Sequence, residues 1–234
     1  MSALADRDRM LAAIRASLAQ SRAQLAAEAA RASHTPPAFV HPPQPDLPAQ
    51  FAAELARLEG HPHRCASDTQ ALDAIHEILQ RHQASRVVAW GRDQIGLPGL
   101  DGLLAELGID ALDGIIRGHQ RIAQLQALEP APICISGADA GIAESGTIVV
   151  RSGAGRGRLA SLIAPVHIAV LRAEQIVRGL GAALTLLRER YGPDPLVDSS
   201  NLTLISGPSR TGDIELTLTL GVHGPREIHV VLID

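Results

Sequence analysis

Lysine is missing from this chain: all 21 basic residues among its 234 are arginine. That excludes Schiff-base chemistry, pyridoxal phosphate attachment and the P-loop lysine. Cysteine is scarce, with Cys65 and Cys134 far apart and no C-x-x-C spacing. A zinc ribbon or an iron–sulfur cluster needs four thiolates, so the chain holds neither with cysteine alone. Two unpaired thiols also fit a reduced, cytoplasmic setting. The aromatic residues are Phe39, Phe51, Trp90 and Tyr191, too few for base-stacking platforms, and a net charge of −4 argues equally against a nucleic-acid partner. No apolar run approaches the roughly 20 residues of a membrane span. Asp6, Arg7, Asp8 and Arg9 stand where a signal peptide needs an apolar core.

What is present is an ordinary globular composition, 46% hydrophobic and 20% charged. Residues 1–32 read as a helical arm, with Leu4, Leu11, Leu18 and Leu25 at heptad spacing and Ile14 between them. The stripe is narrow and suits docking on the same subunit or on a sister subunit, a route to a homo-oligomer, or else a contact with a different protein or a partly frayed end. Residues 33–48 carry Pro36, Pro37, Pro42, Pro43, Pro45 and Pro48 and read as a semi-rigid linker. Residues 49–234 alternate helical and strand-like segments. Helices are expected at about 49–58, 69–82, 101–107, 117–128 and 173–190; strands at Arg86–Trp90, Ile133–Ser136, Thr147–Arg151, Val166–Leu171, Leu202–Ser206 and Ile228–Ile233. The alternation predicts an α/β fold with a mostly parallel sheet and helices on both faces. Asp213–Leu220 suits a turn leading into a strand, although Asp213 and Glu215 would also suit a first helical turn.

Three loops combine glycine with functional side chains. Residues 137–147 place Glu144, Ser145, Gly146 and Thr147 beside flexible backbone; Glu144 fits a ligand or catalytic role, and equally a cap or an arginine partner. Residues 151–158 contain Arg151, Arg156 and Arg158 with three glycines, a candidate oxyanion or phosphate cradle or else a solvated turn. G-x-G-x-x-G spacing is absent there, so no dinucleotide fingerprint exists. Residues 206–215 and 221–225 supply Gly207, Ser209, Arg210, Thr211, Asp213, His223 and Gly224, able to fix a small anion or simply to close a tight turn. His223, flanked by glycines, is the acid–base candidate, whereas His167 inside an apolar run reads as a hydrogen-bonded core residue. No H-E-x-x-H or G-x-S-x-G spacing occurs, so no metal site and no serine elbow is expected, and no function attaches to His61 and His63 around Pro62.

The segments G-I-A-E-S-G-T (141–147), S-G-P-S-R-T-G-D-I-E (206–215) and G-V-H-G-P (221–225), followed by a terminal strand, resemble the LUD-domain family over roughly residues 50–233. The resemblance implies a Rossmann-like fold of the NagB/RpiA/CoA-transferase type. It also implies a role in oxidising L-lactate to pyruvate beside iron–sulfur partner proteins that carry the electrons, with a small organic acid or phosphorylated molecule as ligand. On this reading the chain itself holds no cofactor. The related CoA-transferases suggest a second role, with Glu144 attacking an acyl carbonyl and Arg156 or Arg158 binding a CoA phosphate. A third role is a sensor that binds a carboxylate or phosphate at Arg210 and the neighbouring amides. All three need Glu144, Arg210 or His223 in a ligand site, and the shared expectation is that the two glycine-bearing segments converge on one mouth of the sheet.

Overall fold

The computed structural model describes residues 3–31, 37–42, 44–212 and 218–234. Residues 1–36 and 37–234 form separate compact units. The first holds helix α1 (Ala3–Arg31), whose Met10, Ile14 and Leu18 are exposed. Among the described residues no helix is long and apolar enough to cross a membrane.

The second unit opens with α2 (Leu47–Arg57), which takes in the last two residues of the expected linker. Asp46 caps it by accepting from the Ala49 amide at 2.9 Å, and Pro48 sits in the first turn, where no donor is lost. Strand β1 (His61–Cys65) follows, then α3 (Asp68–Arg81), capped by Ser67 and burying Ala71, Ile75, Ile78 and Leu79 at helical spacing. Next come β2 (Arg86–Ala89), the single turn α4 (Arg92–Ile95), α5 (Leu100–Glu106), β3 (Asp110–Asp113), α6 (Arg121–Leu128), β4 (Ile133–Gly137), β5 (Ala140–Ile142) and β6 (Thr147–Ser152). The chain continues through β7 (Val166–Arg172), β8 (Ile176–Val177), α7 (Leu180–Tyr191), β9 (Asn201–Ile205), β10 (Arg210–Gly212), β11 (Leu218–Leu220) and β12 (Glu227–Ile233).

Six strands pair all-parallel in the order β1-β12-β7-β4-β2-β3. Every residue of β4, six successive residues of β7 and the last six of β12 are buried, so both faces of the sheet centre are covered. A second sheet, β8-β5-β6-β9, is mixed: β6 runs antiparallel to β5 and β9, and β8 parallel to β5. Only Ala138 and Asp139 separate β4 from β5, so that dipeptide is the corner between the sheets.

The expected helix at 173–190 is three elements. Residues Ala173–Gln175 make one 3₁₀ turn, Ile176–Val177 pairs with Gly141–Ile142, and the helix starts at Leu180. The β-branched pair finds a strand partner that a helical reading could not anticipate. Edge strand β3 escapes pattern reading because three of its four residues are exposed. Of the Asp213–Leu220 stretch, Leu218–Leu220 is a strand paired with Arg210–Gly212, while 213–217 lie outside the described residues.

The glycines of the 137–147 loop serve packing. A Cβ on Gly137 would lie 2.8 Å from the Gln94 carbonyl oxygen, and one on Gly146 2.3 Å from the Leu55 amide nitrogen. Gly146 also has φ +58°, a left-handed conformation. Gly146→Ala therefore strains the backbone and overlaps α2 together, and is expected to cost at least about 2 kcal/mol in urea denaturation.

Candidate functional site

In a parallel sheet the ligand crevice lies at the carboxyl ends of the strands, where successive connections leave in opposite directions. Here that point falls between β2 and β4: the chain leaves β2 toward β3 on one side, and leaves β4 toward β7 on the other. The residues delivered there are Trp90 and Gly91 after β2, and Ala138 and Asp139 after β4.

Asp139 is 2% exposed and is the hub of this end of the sheet. One carboxylate oxygen accepts from the Arg156 guanidinium at 2.7 Å and the Tyr191 hydroxyl at 2.5 Å; the other accepts from the Arg151 amide at 2.8 Å. Its carbonyl accepts from Arg190 at 3.1 Å. Arg156 also donates to Gln94 Oε1 at 2.7 Å and lies over the Trp90 ring, 5.2 Å from its centroid. Burial weakens the charged form of Arg156, and Asp139 and Tyr191 outweigh it, holding the guanidinium above its ordinary pKa. Tyr191 lies between two cations, with Arg151 4.3 Å from its ring centroid on the nearer contact.

The 151–158 loop is thus a fitted lid over the switch point. Its Gly155 carbonyl accepts from the Gly91 amide at 2.6 Å, and its Gly157 carbonyl from the Trp90 indole at 3.2 Å. Gly157 lies against Gly114, where a Cβ would come within 2.4 Å of backbone. Beside the lid is a cavity of about 240 Å³ lined by Gln94, Asp139, Arg156, Arg172, Glu174 and Arg190, among others. Three guanidiniums reach one small polar space. A neighbouring cavity of about 450 Å³ lies across Trp90, over β2 and β3, and is more apolar.

The LUD domain family matches residues 48–233. The chain belongs to the LUD domain family. Lactate utilization protein C of Halalkalibacterium halodurans is 32% identical over 162 residues, covering 69% of this chain and 68% of that protein. The protein of the same name from Shouchella clausii is 31% identical over 161 residues, with the same coverage. Among solved structures, a DUF162 family protein from Deinococcus radiodurans superposes with a TM-score of 0.56 at 23% identity, over 82% of this chain and all of that one, a likeness of fold.

Within this LUD domain the motif residues fall in three separate places. Glu144 is spoken for by residues 37–42: one carboxylate oxygen accepts from the Val40 amide at 2.7 Å and the His41 amide at 2.9 Å, and the other lies against Gly179. Ser145, Thr147 and Ser206 form a hydroxyl chain, with links of 2.8 and 2.7 Å, that ties the 141–147 motif to the 206–215 motif. Gly146 and Gly207 both pack on α2, Gly207 against Leu58 at its end. Arg210 donates to the Leu58 carbonyl and to Glu59 at 2.8 Å. The two motifs do converge, but on the C-terminal half of α2 and the residues just after it.

Ser209, His223, Gly207 and Gly224 line a different cavity of about 300 Å³ with His167 and Ile228. His167 and Ile228 begin their strands, so this cavity opens at the amino end of the sheet, away from the switch point. Glu144, Arg210 and His223 therefore have different neighbours, and among the described residues His223 lines a cavity that includes neither of the other two. Thr211 pairs with Thr219 in the β10–β11 ribbon, Arg158 lines a third cavity with Gly114 and Leu159, and Asp213 lies outside the described residues. Among the described candidates, only Arg156 stands at the switch point. Asp139, Arg172, Arg190, Tyr191 and Gln94 were not singled out; the signal available was the strand-end position of Asp139 immediately after a buried apolar run.

Both cysteines are buried thiols. Burial pushes Cys134 up to about 11 and raises Cys65 as well, which leaves neither a ready nucleophile. His167 is fully buried, its Nε2 2.8 Å from Ser136 Oγ, and burial drives its pKa down to about 4.

Removing the hub carboxylate leaves the Arg156 guanidinium uncompensated, so Asp139→Ala is expected to cost about 3–5 kcal/mol in urea denaturation, and Tyr191→Phe about 1–2 kcal/mol. His167 titrates near 6.5 unfolded and near 4 folded. The unfolded chain binds the extra proton between those values, so the stability is fully present above about pH 6.5 and declines as pH falls toward 4. His167→Gln should flatten that part of the stability–pH curve, read as denaturation midpoints from pH 7 to 4.

Proposed function

We propose that the chain serves lactate utilisation as a subunit that supports oxidation of L-lactate to pyruvate alongside iron–sulfur partner proteins, and that it holds a small anion at the switch point. The ligand is an organic acid or a phosphorylated molecule. The observation that carries the reading is the pairing of the family match over 48–233 with three arginines lining one cavity at the carboxyl ends of β4 and β7. The names of the relatives supply the lactate connection.

The chemistry follows from the donors. Asp139 is saturated, and it fixes Arg156 and positions Arg190 without facing a ligand as a free base. Arg172, which donates to Asp68 and to the Gly96 carbonyl, is held at the cavity edge in the same way. Guanidiniums so held lose little entropy on binding a planar carboxylate or a phosphate, which they bind through paired N–H donors. A space of about 240 Å³ suits a few heavy atoms and is below the range of drug-sized pockets. Only two thiols, both buried, are available for iron–sulfur ligation, so the electrons of lactate oxidation belong to partners. The carboxylate of Glu144 is engaged by the Val40 and His41 amides, which disfavours its use as an acyl-transfer nucleophile.

Calorimetry of the purified chain against lactate, pyruvate and inorganic phosphate should find saturable binding of at least one. Arg190→Gln should weaken that binding at least about tenfold, with circular dichroism confirming that the variant folds. Deleting the gene should abolish growth on lactate, and tagged chain should co-purify iron–sulfur proteins. Normal growth on lactate would overturn the lactate role, and absence of binding to all three probes would overturn the anion site. Tight binding without partners and without a growth defect would instead indicate a sensor.

A further inference from the structure

A cluster of histidines lies at the β1 edge of the parallel sheet, away from the switch point. The register of β1 on β12 sets His61 beside His229, and their rings stack with centroids 4.7 Å apart. His63 stacks on the same ring at 5.2 Å, and its Nε2 lies 3.0 Å from His229 Nδ1. From the end of α3, His82 brings its Nε2 within 3.2 Å of a Glu227 carboxylate oxygen, and His229 Nε2 lies 3.7 Å from that oxygen. The three donor atoms, from His82, Glu227 and His229, all lie within 4.8 Å of one another.

Two features separate this arrangement from an ordinary polar contact. His82 Nε2 and His229 Nε2 are buried and neither makes a hydrogen bond, although Glu227 is close to both. His229 is 1% exposed, so an unpaired ring nitrogen there is costly. His82 Nε2, at 3.2 Å from the Glu227 oxygen, forms no hydrogen bond with it, and His229 Nε2, at 3.7 Å, is beyond hydrogen-bond distance, so three donor atoms stand together without bonding one another. Tetrahedral sites with metal–ligand bonds of 2.0–2.1 Å set their donors roughly 3.3 Å apart, and the two nitrogen–oxygen spacings here are 3.2 and 3.7 Å.

We infer that His82 Nε2, His229 Nε2 and a Glu227 carboxylate oxygen form a binding site for a divalent first-row transition ion of the zinc class. Two imidazoles and one carboxylate are a known donor set for such ions. Coordination through Nε2 puts the remaining proton of His229 on Nδ1, which then donates to His63 Nε2; His63 is thus a positioning residue that fixes tautomer and ring orientation. His82 and Glu227 are only half-buried, so the site lies near the surface of the domain although its ring nitrogens are buried. The three ligands come from α3 and from the start of β12, distant in sequence, which is why no spacing motif reveals them.

The test uses the full chain without an affinity tag, stripped with chelator and titrated with Zn²⁺ alone by calorimetry and with Co²⁺ alone by visible absorption. One ion per chain is expected, with ligand-field bands for Co²⁺. Glu227→Gln and His82→Ala should each weaken binding at least about tenfold, and His63→Ala by about tenfold or more through the lost hydrogen bond. Circular dichroism confirms folding of each variant; should His82→Ala misfold, Glu227→Gln decides. Absence of stoichiometric binding overturns the inference, and so does unchanged affinity in Glu227→Gln, which would put the ion on other histidines.

Discussion

A buried carboxylate at the corner of two sheets organises this molecule. Taking Asp139 out of water is costly, and the cost is offset only because a guanidinium, a phenol and a backbone amide all meet its oxygens. Those donors come from the glycine-rich 151–158 segment and from the end of α7. Satisfying one charge therefore fixes the lid, the helix and the corner in one geometry. The bonding around Asp139 fixes Arg156 and Arg190, and such held guanidiniums suit the anion site proposed above.

The parallel sheet decides where that geometry stands. Because β2 and β4 are neighbours whose outgoing connections diverge, the segments after them frame a crevice, and the lid closes over it with its Gly155 and Gly157 carbonyls accepting from Gly91 and Trp90. The 141–147 and 206–215 motifs do structural work of another kind. Their small residues admit α2 and the segment after it to van der Waals contact, and their hydroxyls tie β6 to the end of β9. Glu144, at the head of that assembly, fastens residues 40 and 41 to the domain by accepting from their amides.

Much of the fold was legible in advance. The six strands read from apolar runs are all present; five of them are buried along most of their length, which leaves a near-continuous hydrophobic signature, while β9 is only partly buried. The exposed edge strand β3 and the short pairings β5 and β8 were not legible, since their strand character comes from partners rather than from their own residues. The site was less legible still. Glycine next to charge marks places where backbone comes close to something, and for Gly137, Gly146 and Gly207 that something is protein.

Local chemistry alone determined that the chain is an α/β protein, that its cysteines cannot assemble a cluster unaided, that every fixed cation is an arginine, and which runs form the sheet centre. Those properties follow from composition and periodicity, which act over a few residues. Tertiary structure decided which charges meet. Asp139 finds Arg156 and Tyr191, and His229 finds His82 and Glu227, through strand order and register, and no short-range pattern encodes a pairing between residues that topology alone brings into contact.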